Sequence, residues 1–280
     1  MRTSIFWVIF LLFVTYRLSG QHLPEALMGA PVFIEHNKGT GSGFLIQDST
    51  YVYFVTARHV LIDPVSGKRV VNETKLTFYE KDLVTGDKIM FKIDLAIADS
   101  LGLIITKPHG DVLIIRMALK NYAKNGRVGI NYLPGIQKLT KATNINPIPI
   151  TIFEKYEDAF IGDNVYLFGY PTSIGLKRSP KFDYTRPLLR KGIIAGKYDS
   201  NKTLILDCPS YYGNSGGPVI VEVDKGLSME YKLVGLVVEF IPYEEEWKNT
   251  RNGLVNSDIY NSGYSVAISS SKILELLNRK

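Results

Sequence analysis

One stretch of the sequence, "YYGNSGGPVI" from Tyr211 to Ile220, contains residue types that covalent catalysis requires. Ser215 stands there between an asparagine and two glycines, in a chain that is otherwise rich in aromatic and β-branched residues. A tight turn over Gly216–Pro218 would explain the small residues without any chemistry. The alternative is that the loop presents Ser215 as a nucleophile, with free backbone N–H groups beside it.

A serine hydroxyl becomes a good nucleophile only when a base takes its proton, and that base is usually a histidine oriented by a carboxylate. The chain has four histidines. His22 lies near the expected mature N-terminus, His36 in a polar loop and His109 in the turn "KPHGD". His59 lies in "YVYFVTARHVL", directly after an apolar strand. Alone it would be interpreted as a core residue, but together with Ser215 it becomes the candidate base.

The elements that must position these residues are mostly strands. From Ala30 to about Lys120, and again from Ile150, short apolar runs alternate with Gly, Pro, Asp and Asn, which is typical of antiparallel strands joined by turns. The 17 Tyr and 13 Phe favour the same interpretation. We therefore predict an all-β fold of two antiparallel six-stranded β-barrels. The barrels span residues 21–120 and 150–268, and the polar segment 121–149 is a linker between them.

The end of the chain predicts a short C-terminal α-helix over residues 269–280. Serines precede Ile273, Leu274, Leu276 and Leu277, whose spacing gives one apolar stripe on a helix.

Composition excludes several classes of function. A hydrophobic content of 45% with 21% charged residues is ordinary for a globular chain of 280 residues. The net charge is +6, but basic and acidic residues are interspersed, so we expect no nucleic-acid partner. The single cysteine, Cys208, excludes an internal disulfide framework. No Cys/His cluster has metal-ligand spacing, so we expect neither a metal ion nor another cofactor.

The N-terminus has the organisation of a secretory signal peptide. Arg2 supplies a basic n-region, Ile5 to Val14 an apolar h-region, and Ser19 and Gly20 the small residues of a cleavage site. The apolar run is too short for a spanning helix, which needs about 20 residues. We therefore predict a signal peptide over residues 1–20, no stable membrane span, and a secreted or periplasmic location.

Three blocks of the sequence resemble one known family. "VTARHV" (Val55–Val60), "DVLIIRM" (Asp111–Met117) and "GNSGGPV" (Gly213–Val219) look like the His, Asp and Ser blocks of the trypsin/chymotrypsin-like serine peptidases. The order of these blocks along the chain is also the order of that family. The asparagine before the serine and the missing disulfides are closer to the bacterial HtrA/Deg-like branch. We expect no PDZ domain, because the terminal helix leaves no room for one.

This resemblance implies an exported serine endopeptidase that acts on polypeptides, with its active site in the cleft between the two barrels. Ser215 is implied as the nucleophile, His59 as the general base and Asp111 as the residue that orients the histidine. The backbone N–H groups of Gly213 and Ser215 are implied as the oxyanion hole.

Two alternatives stay open at this point. Asp94, in "KIDLAIAD", is a second candidate for the acid, although we favour Asp111 because a turn followed by a strand places its carboxylate at a barrel rim. The chain could also be a catalytically silent binding module on a peptidase fold, or an esterase or acyltransferase that uses the same triad.

The resemblance also locates the substrate pocket for the P1 side chain at Pro209, Ser210, Val238 and Phe240. Pro209 stands where trypsin-type enzymes have an aspartate that binds basic side chains, and the other walls are largely apolar. We therefore expect an apolar P1 preference. If Glu239 turned inward, the preference would instead be basic.

Overall fold

The structure is a computed structural model that describes residues 23–80, 86–122, 128–142, 145–226 and 228–278. The expected signal peptide over residues 1–20 lies outside these ranges. The described chain is mainly β-structure arranged in two sheets, which are followed along the chain by a short helix.

The first sheet contains ten strands, of which six are long and four are short. They are β1 (Pro31–His36), β2 (Gly39–Gln47), β3 (Tyr51–Ala57), β4 (Glu73–Tyr79), β5 (Lys88–Asp94), β6 (Ile104–Thr106), β7 (Val112–Tyr122), β8 (Val128–Tyr132), β9 (Ile136–Lys138) and β10 (Ile148–Pro149). Their order is β6-β7-β3-β2-β1-β4-β5-β9, with β8 paired to β7 and β10 to β2. The core side chains alternate as a half-buried strand requires, as Ile89, Phe91 and Ile93 do along β5.

The segment predicted as a linker, residues 121–149, contributes β8, β9 and β10 to this sheet. Its few apolar side chains explain the pairing, because Tyr132 packs against the ring of Phe91 with the ring centroids 5.0 Å apart, and Ile136 is buried. Since β8 pairs with β7 and β9 with β5, this single segment connects the two ends of the row of long strands.

The second sheet is a closed six-stranded barrel. Its strands are β11 (Asn164–Gly169), β12 (Leu188–Tyr198), β13 (Thr203–Asp207), β14 (Pro218–Asp224), β15 (Met229–Lys248) and β16 (Val255–Ser269). They close in the order β11-β12-β13-β16-β15-β14, and every pairing is antiparallel. The predicted all-β double-barrel class is confirmed. The second barrel has the predicted six strands, whereas the first sheet has ten because short strands add to its six long ones.

Two strands of this barrel are much longer than the others. β15 pairs with β14 only as far as Leu236, and β16 pairs with β13 only from Tyr264 onwards. The two strands nevertheless stay paired with each other from Pro242–Asn261 to Lys248–Val255. Residues 241–262, which we call the hairpin extension, therefore project beyond the barrel.

The helices are short. They are α1 (Glu25–Met28), α2 (Arg58–Leu61), α3 (Leu95–Ser100) and α4 (Ser270–Leu277). α4 confirms the predicted terminal helix, and the Ser269 side chain caps it by accepting a hydrogen bond from the Ser271 N–H. Within the described ranges, no helix has the length and apolar content needed to cross a lipid bilayer.

An apolar cluster joins the two sheets, and we call it the inter-sheet cluster. Its members include Phe44, Ile46, Val55, Ile114, Phe168, Ile220, Leu233, Leu236, Ile273 and Leu276. The first four belong to the first sheet, the next four to the second barrel, and the last two to α4. Burial of these side chains fixes the relative position of the two sheets and therefore the shape of the cleft between them.

Candidate functional site

His59 and Asp111 are brought together by two adjacent strands. β3 ends at Ala57 and α2 begins at the next residue, so His59 lies in the first turn after the strand. β7 runs antiparallel to β3, and Ala57 is paired with Val112. Asp111, directly before Val112, is consequently placed beside the start of α2.

The Asp111 carboxylate contacts His59 at two points. Its Oδ2 lies 2.7 Å from His59 Nδ1, and its Oδ1 accepts a hydrogen bond from the His59 backbone N–H at 2.9 Å. An ionised carboxylate can only accept, so this contact favours the tautomer with the proton on Nδ1 and the lone pair on Nε2. The His59 and Asp111 side chains are 36% and 34% exposed, so both remain partly accessible to solvent.

Asp94, the second candidate for the acid, has a different role in the fold. It is the last residue of β5 and the N-cap of α3, where its Oδ1 accepts a hydrogen bond from the Ile97 N–H at 2.9 Å. This contact satisfies one of the free N–H groups of the helix start.

The Ser215 loop has a backbone conformation that side chains rarely adopt. Gly213 has φ +100° and Gly216 has φ +90°. A Cβ on Gly213 would lie 2.2 Å from the Tyr170 carbonyl oxygen, and one on Gly216 would lie 2.1 Å from the Ser42 carbonyl oxygen. The glycines around Ser215 are therefore required by both conformation and space. Close approach at Gly216 also seats the loop against the end of β3, just before His59.

The Ser215 hydroxyl donates a hydrogen bond to the Val238 carbonyl at 3.1 Å. In the described part of the chain, no hydrogen bond joins this hydroxyl to His59. The backbone N–H groups of Gly213 and Ser215 likewise have no acceptor among the described residues, whereas the N–H of Gly216 donates to the Val237 carbonyl at 2.7 Å. Two free donors thus lie next to the serine.

Ser42, in β2, is a residue that the sequence analysis missed. Its buried hydroxyl donates to the Gly213 carbonyl at 2.6 Å and accepts from the Tyr170 N–H at 3.0 Å. Its own backbone N–H donates to the Ser215 carbonyl at 2.9 Å. Ser42 therefore holds the loop of the second barrel on both sides of Asn214, with its hydroxyl at Gly213 and its backbone N–H at Ser215.

The predicted pocket residues divide into two groups. Ser210 contacts the strand that carries Phe240, since its Oγ lies 3.5 Å from the Glu239 carbonyl oxygen. The Phe240 ring packs edge-on against Tyr212, with 5.5 Å between the centroids. Val238 instead packs into the buried cluster of the first sheet.

Val238 also lines a cavity of about 650 Å³ beside Asp111. Pro209, Ser210 and Phe240 are not part of its lining, whereas the exposed Glu239 is. The cavity extends from the turn before β7 to α4, where Lys272 and Leu276 line it.

The structure gives no support for a cysteine nucleophile at Cys208 or, among the described residues, for a metal site. Burial raises the pKa of the Cys208 thiol to about 11, so the thiolate form that nucleophilic chemistry needs is disfavoured. Within the described ranges, no group of three or more His, Cys, Asp or Glu side chains could hold a metal ion.

Comparison with known proteins gives one family. Residues 41–226, more than half of the chain, match the model of the trypsin-like peptidase domain. The matched range contains all three sequence blocks on which the resemblance rested, and that resemblance is confirmed. A comparison with curated proteins found no match.

Several solved structures are similar to this chain. Deg5 is 16% identical with a TM-score of 0.48, and the alignment covers 89% of this chain and 87% of that one. The HtrA-type protease AlgW with a tripeptide is 15% identical with a TM-score of 0.48, covering 90% of this chain and 61% of that one. The thermostable serine protease AL20 from an extremophilic microorganism is 14% identical with a TM-score of 0.47, covering 91% and 97%.

Proposed function

The chain belongs to the trypsin-like peptidase domain family, and from this premise we propose that it is an exported serine endopeptidase with His59, Asp111 and Ser215 as its catalytic triad. The observation that carries the proposal is the contact of the Asp111 carboxylate with both the ring and the backbone N–H of His59. This contact favours the tautomer in which Nε2 is free to accept a proton, which is the property a general base requires.

The reaction begins when the Ser215 hydroxyl leaves the Val238 carbonyl and turns to His59 Nε2. Ser215 Oγ then forms a bond to the substrate carbonyl carbon while its proton passes to His59. Asp111 stabilises the resulting imidazolium. His59 next gives the proton to the amine of the leaving peptide, which breaks the C–N bond, and water hydrolyses the acyl-enzyme by the same sequence of proton transfers.

The negative charge on the substrate oxygen needs donors that exist before the reaction starts. The N–H groups of Gly213 and Ser215 are the candidates, because neither has an acceptor among the residues that the structure describes. Each such donor contributes about 3–4 kcal/mol to transition-state stabilisation.

We further propose an apolar P1 preference, with Pro209, Ser210, Val238 and Phe240 as the residues that determine it. Phe240 is partly buried against Tyr212, and Glu239 lines the cavity beside Asp111, to which Pro209, Ser210 and Phe240 do not contribute. A pocket without an inward carboxylate leaves a Lys or Arg side chain unpaired, which costs several kcal/mol. Cleavage-site profiling in a whole-proteome digest should show cutting after Val, Leu, Ala or Met. Dominant cutting after Lys or Arg would show that Glu239 turns inward.

Export is proposed from the N-terminal sequence alone. N-terminal sequencing of the protein recovered outside the cytoplasm should begin near Gln21. Recovery of the uncleaved chain only inside the cytoplasm would contradict export without affecting the proposed chemistry.

Labelling with a fluorophosphonate probe tests the function, because only a base-activated serine reacts with it. The wild type should be labelled and should cleave polypeptides. Ser215→Ala should lose both properties, while Ser49→Ala, which alters an exposed serine far along the chain, should keep them. Labelling with turnover of esters but not of peptides would identify an esterase or acyltransferase, and absence of labelling would identify a silent binding module.

A further inference from the structure

The hairpin extension, residues 241–262, exposes an unusual amount of aromatic surface. Tyr243 is 55% exposed, Trp247 59% and Tyr260 50%. In the described chain no third strand pairs with either edge of this hairpin. Large aromatic side chains that a fold leaves in water commonly mark a surface for binding a partner.

The strand register places these aromatic residues on one face together with two carboxylates. Tyr243 is paired with Tyr260, Glu245 with Asp258, and Trp247 with Asn256. Directly opposed residues of an antiparallel pair share a face, and so do residues two positions apart along a strand. This face therefore consists of an aromatic pair, then a carboxylate pair, then Trp247 beside an amide. We call it the aromatic-acidic face.

The carboxylate pair is unfavourable in the protein alone. Like charges directly opposite each other destabilise a hairpin. In the described part of the chain, neither Glu245 nor Asp258 forms an ion pair with a basic side chain. The nearest polar contact is from the Asn256 amide to Asp258 Oδ2 at 3.4 Å. A cation from outside would relieve the repulsion, and aromatic rings on both sides would add cation–π attraction.

We propose that the aromatic-acidic face binds a Lys- or Arg-containing extended segment of the polypeptide substrate. A basic peptide is the occupant that complements both components of the face, since its ammonium or guanidinium groups pair with the carboxylates and its aliphatic stems pack on the rings. An anionic lipid surface or a nucleic acid would be repelled by Glu245 and Asp258. A second copy of the same face would bring four carboxylates together.

The position of the face suits a substrate-recruiting role. β15 runs continuously from Val238, whose carbonyl binds the Ser215 hydroxyl, to Glu245. At about 3.3 Å per residue this separation is roughly 20 Å, which an extended peptide spans with about six or seven residues. One polypeptide can therefore occupy the cleft and the face simultaneously. This consequence rests on the proposed peptidase function, whereas binding to the face does not.

Binding is tested first, with the full chain carrying Ser215→Ala so that no peptide is cut. A fluorescently labelled peptide rich in Arg and Gly is compared with an otherwise identical peptide in which Glu replaces Arg, by anisotropy at low and high salt. The arginine peptide should bind, and its binding should weaken with salt, because salt screens the attraction between charges that water can reach. Equal binding of the glutamate peptide would overturn the proposal.

Two double variants distinguish a specific effect of the aromatic-acidic face from a general effect of the net charge of the protein. Glu245→Gln with Asp258→Asn removes the carboxylates of the aromatic-acidic face. Glu244→Gln with Glu246→Gln removes two carboxylates from the opposite face of the same hairpin, so the net charge changes equally. The first pair should weaken arginine-peptide binding by about tenfold or more, and the second by about twofold or less. Equal losses in both variants, or no loss in either, would overturn the proposal.

A third variant provides an internal competitor. Glu245→Arg places a guanidinium opposite Asp258 within the protein itself, which should abolish binding of the arginine peptide while leaving the hairpin intact.

With the active enzyme, the first double variant should raise the KM for substrates that carry a basic cluster six or seven residues from the cut bond, and kcat should be unchanged. A changed kcat with unchanged KM would contradict substrate recruitment. If the wild-type protein cleaved no peptide, the proposed peptidase function would be wrong, but the measured binding of the arginine peptide to the aromatic-acidic face would be unaffected.

Discussion

The carboxylate of Asp111 has two acceptor oxygens, and His59 uses both, one through its ring and one through its backbone N–H. A single contact would leave the imidazole free to rotate about the hydrogen bond. The second contact fixes the carboxylate relative to the chain that carries the ring. Orientation of the proposed base therefore depends on one residue.

Replacing each of the two candidate acids by asparagine tests whether His59 depends on Asp111. Asp111→Asn should retain the fold and lower kcat by about 10⁴-fold, because an amide N–H directed at Nδ1 favours the wrong histidine tautomer. Asp94→Asn should leave kcat unchanged, since asparagine caps a helix about as well as aspartate. Steady-state kinetics on one peptide substrate, with circular dichroism to confirm folding, gives both values. A larger loss in the Asp94 variant would reverse the assignment.

Sequence patterns could indicate His59 and Ser215 as candidates because the residues next to each of them in the sequence form a recognisable pattern. His59 follows a strand made of apolar residues, and Ser215 is flanked by glycines whose conformation the loop requires. Ser42 has no such signature. Its hydroxyl contacts Gly213 and the Tyr170 N–H, which lie 171 and 128 positions away along the chain. A serine between two glycines in a strand gives no indication of partners at that distance.

At the scale of elements, the Ser42 hydroxyl and backbone N–H join β2 to the Ser215 loop. Ser42→Ala should leave the Gly213 carbonyl and the Tyr170 N–H without a partner, at a cost of about 1–3 kcal/mol for each buried group. Because the loop carries both proposed oxyanion donors, kcat should fall by more than the loss of folded protein explains. Denaturant unfolding and kinetics on the same samples measure the two effects. Ser49→Ala, an exposed serine, serves as the control.

If Ser42→Ala lowered stability but left kcat unchanged, Ser42 would be a structural residue only. The activity loss should appear in kcat rather than in KM, because the oxyanion donors act in the transition state.

The loop between β11 and β12 is tied to the first sheet by Asp183. Its Oδ2 accepts a hydrogen bond from the Tyr79 hydroxyl at 2.8 Å, and its Oδ1 accepts from the Thr185 hydroxyl at 2.6 Å. Partial burial raises the pKa of Asp183, but the hydrogen bonds from Thr185 and Tyr79 outweigh burial and lower it to about 2.

This lowered pKa predicts how stability changes in acid. The folded-state value lies below the ordinary value of 3.8, so the ionised carboxylate stabilises the folded protein above about pH 4. That contribution is lost as the pH falls from 3.8 towards 2. Asp183→Asn should therefore lower the Tm at neutral pH, and the difference from wild type should shrink near pH 2. Asp207→Asn is the control, and a difference that is constant with pH would contradict the prediction.

Pattern-based prediction of elements succeeded where apolar residues alternate and failed where they do not. Ile89, Phe91 and Ile93 mark β5 clearly. The hairpin extension carries "IPYEEEWK", a proline followed by consecutive acids, and this pattern does not predict a strand. It forms a hairpin because β15 and β16 are already paired within the barrel and the pairing continues outward.

At the scale of the whole molecule, the two sheets depend on the inter-sheet cluster. Ile273→Ala should lower the free energy of unfolding by about 2–5 kcal/mol, because it creates a cavity in a fully buried site. Activity should also fall, since the cleft is formed between the two sheets. Ile97→Ala, at an exposed position on α3, should change stability by about 1 kcal/mol or less. Urea unfolding of both variants measures the effect, and equal stabilities would contradict the role of the cluster.

The double-barrel class followed from strand spacing and from the family resemblance, whereas the closing contacts between the sheets did not. The apolar stripe of α4 predicted a helix, but not that Ile273 and Leu276 would pack between sheets formed by earlier parts of the chain. Such a contact depends on where the barrels lie in space, and local periodicity contains no information on it.

The contribution of α4 to the inter-sheet cluster has a consequence for the order of events during synthesis. His59, Asp111 and Ser215 leave the ribosome before Ile273 and Leu276 do. At about 5–20 residues per second, the interval between Ser215 and Leu276 lasts roughly 3–12 s. During that interval the nascent chain has all three proposed catalytic residues but not the helix that completes the packing between the sheets. We expect the nascent chain to stay inactive throughout this interval. Cleavage of neighbouring proteins would then begin only after α4 has emerged.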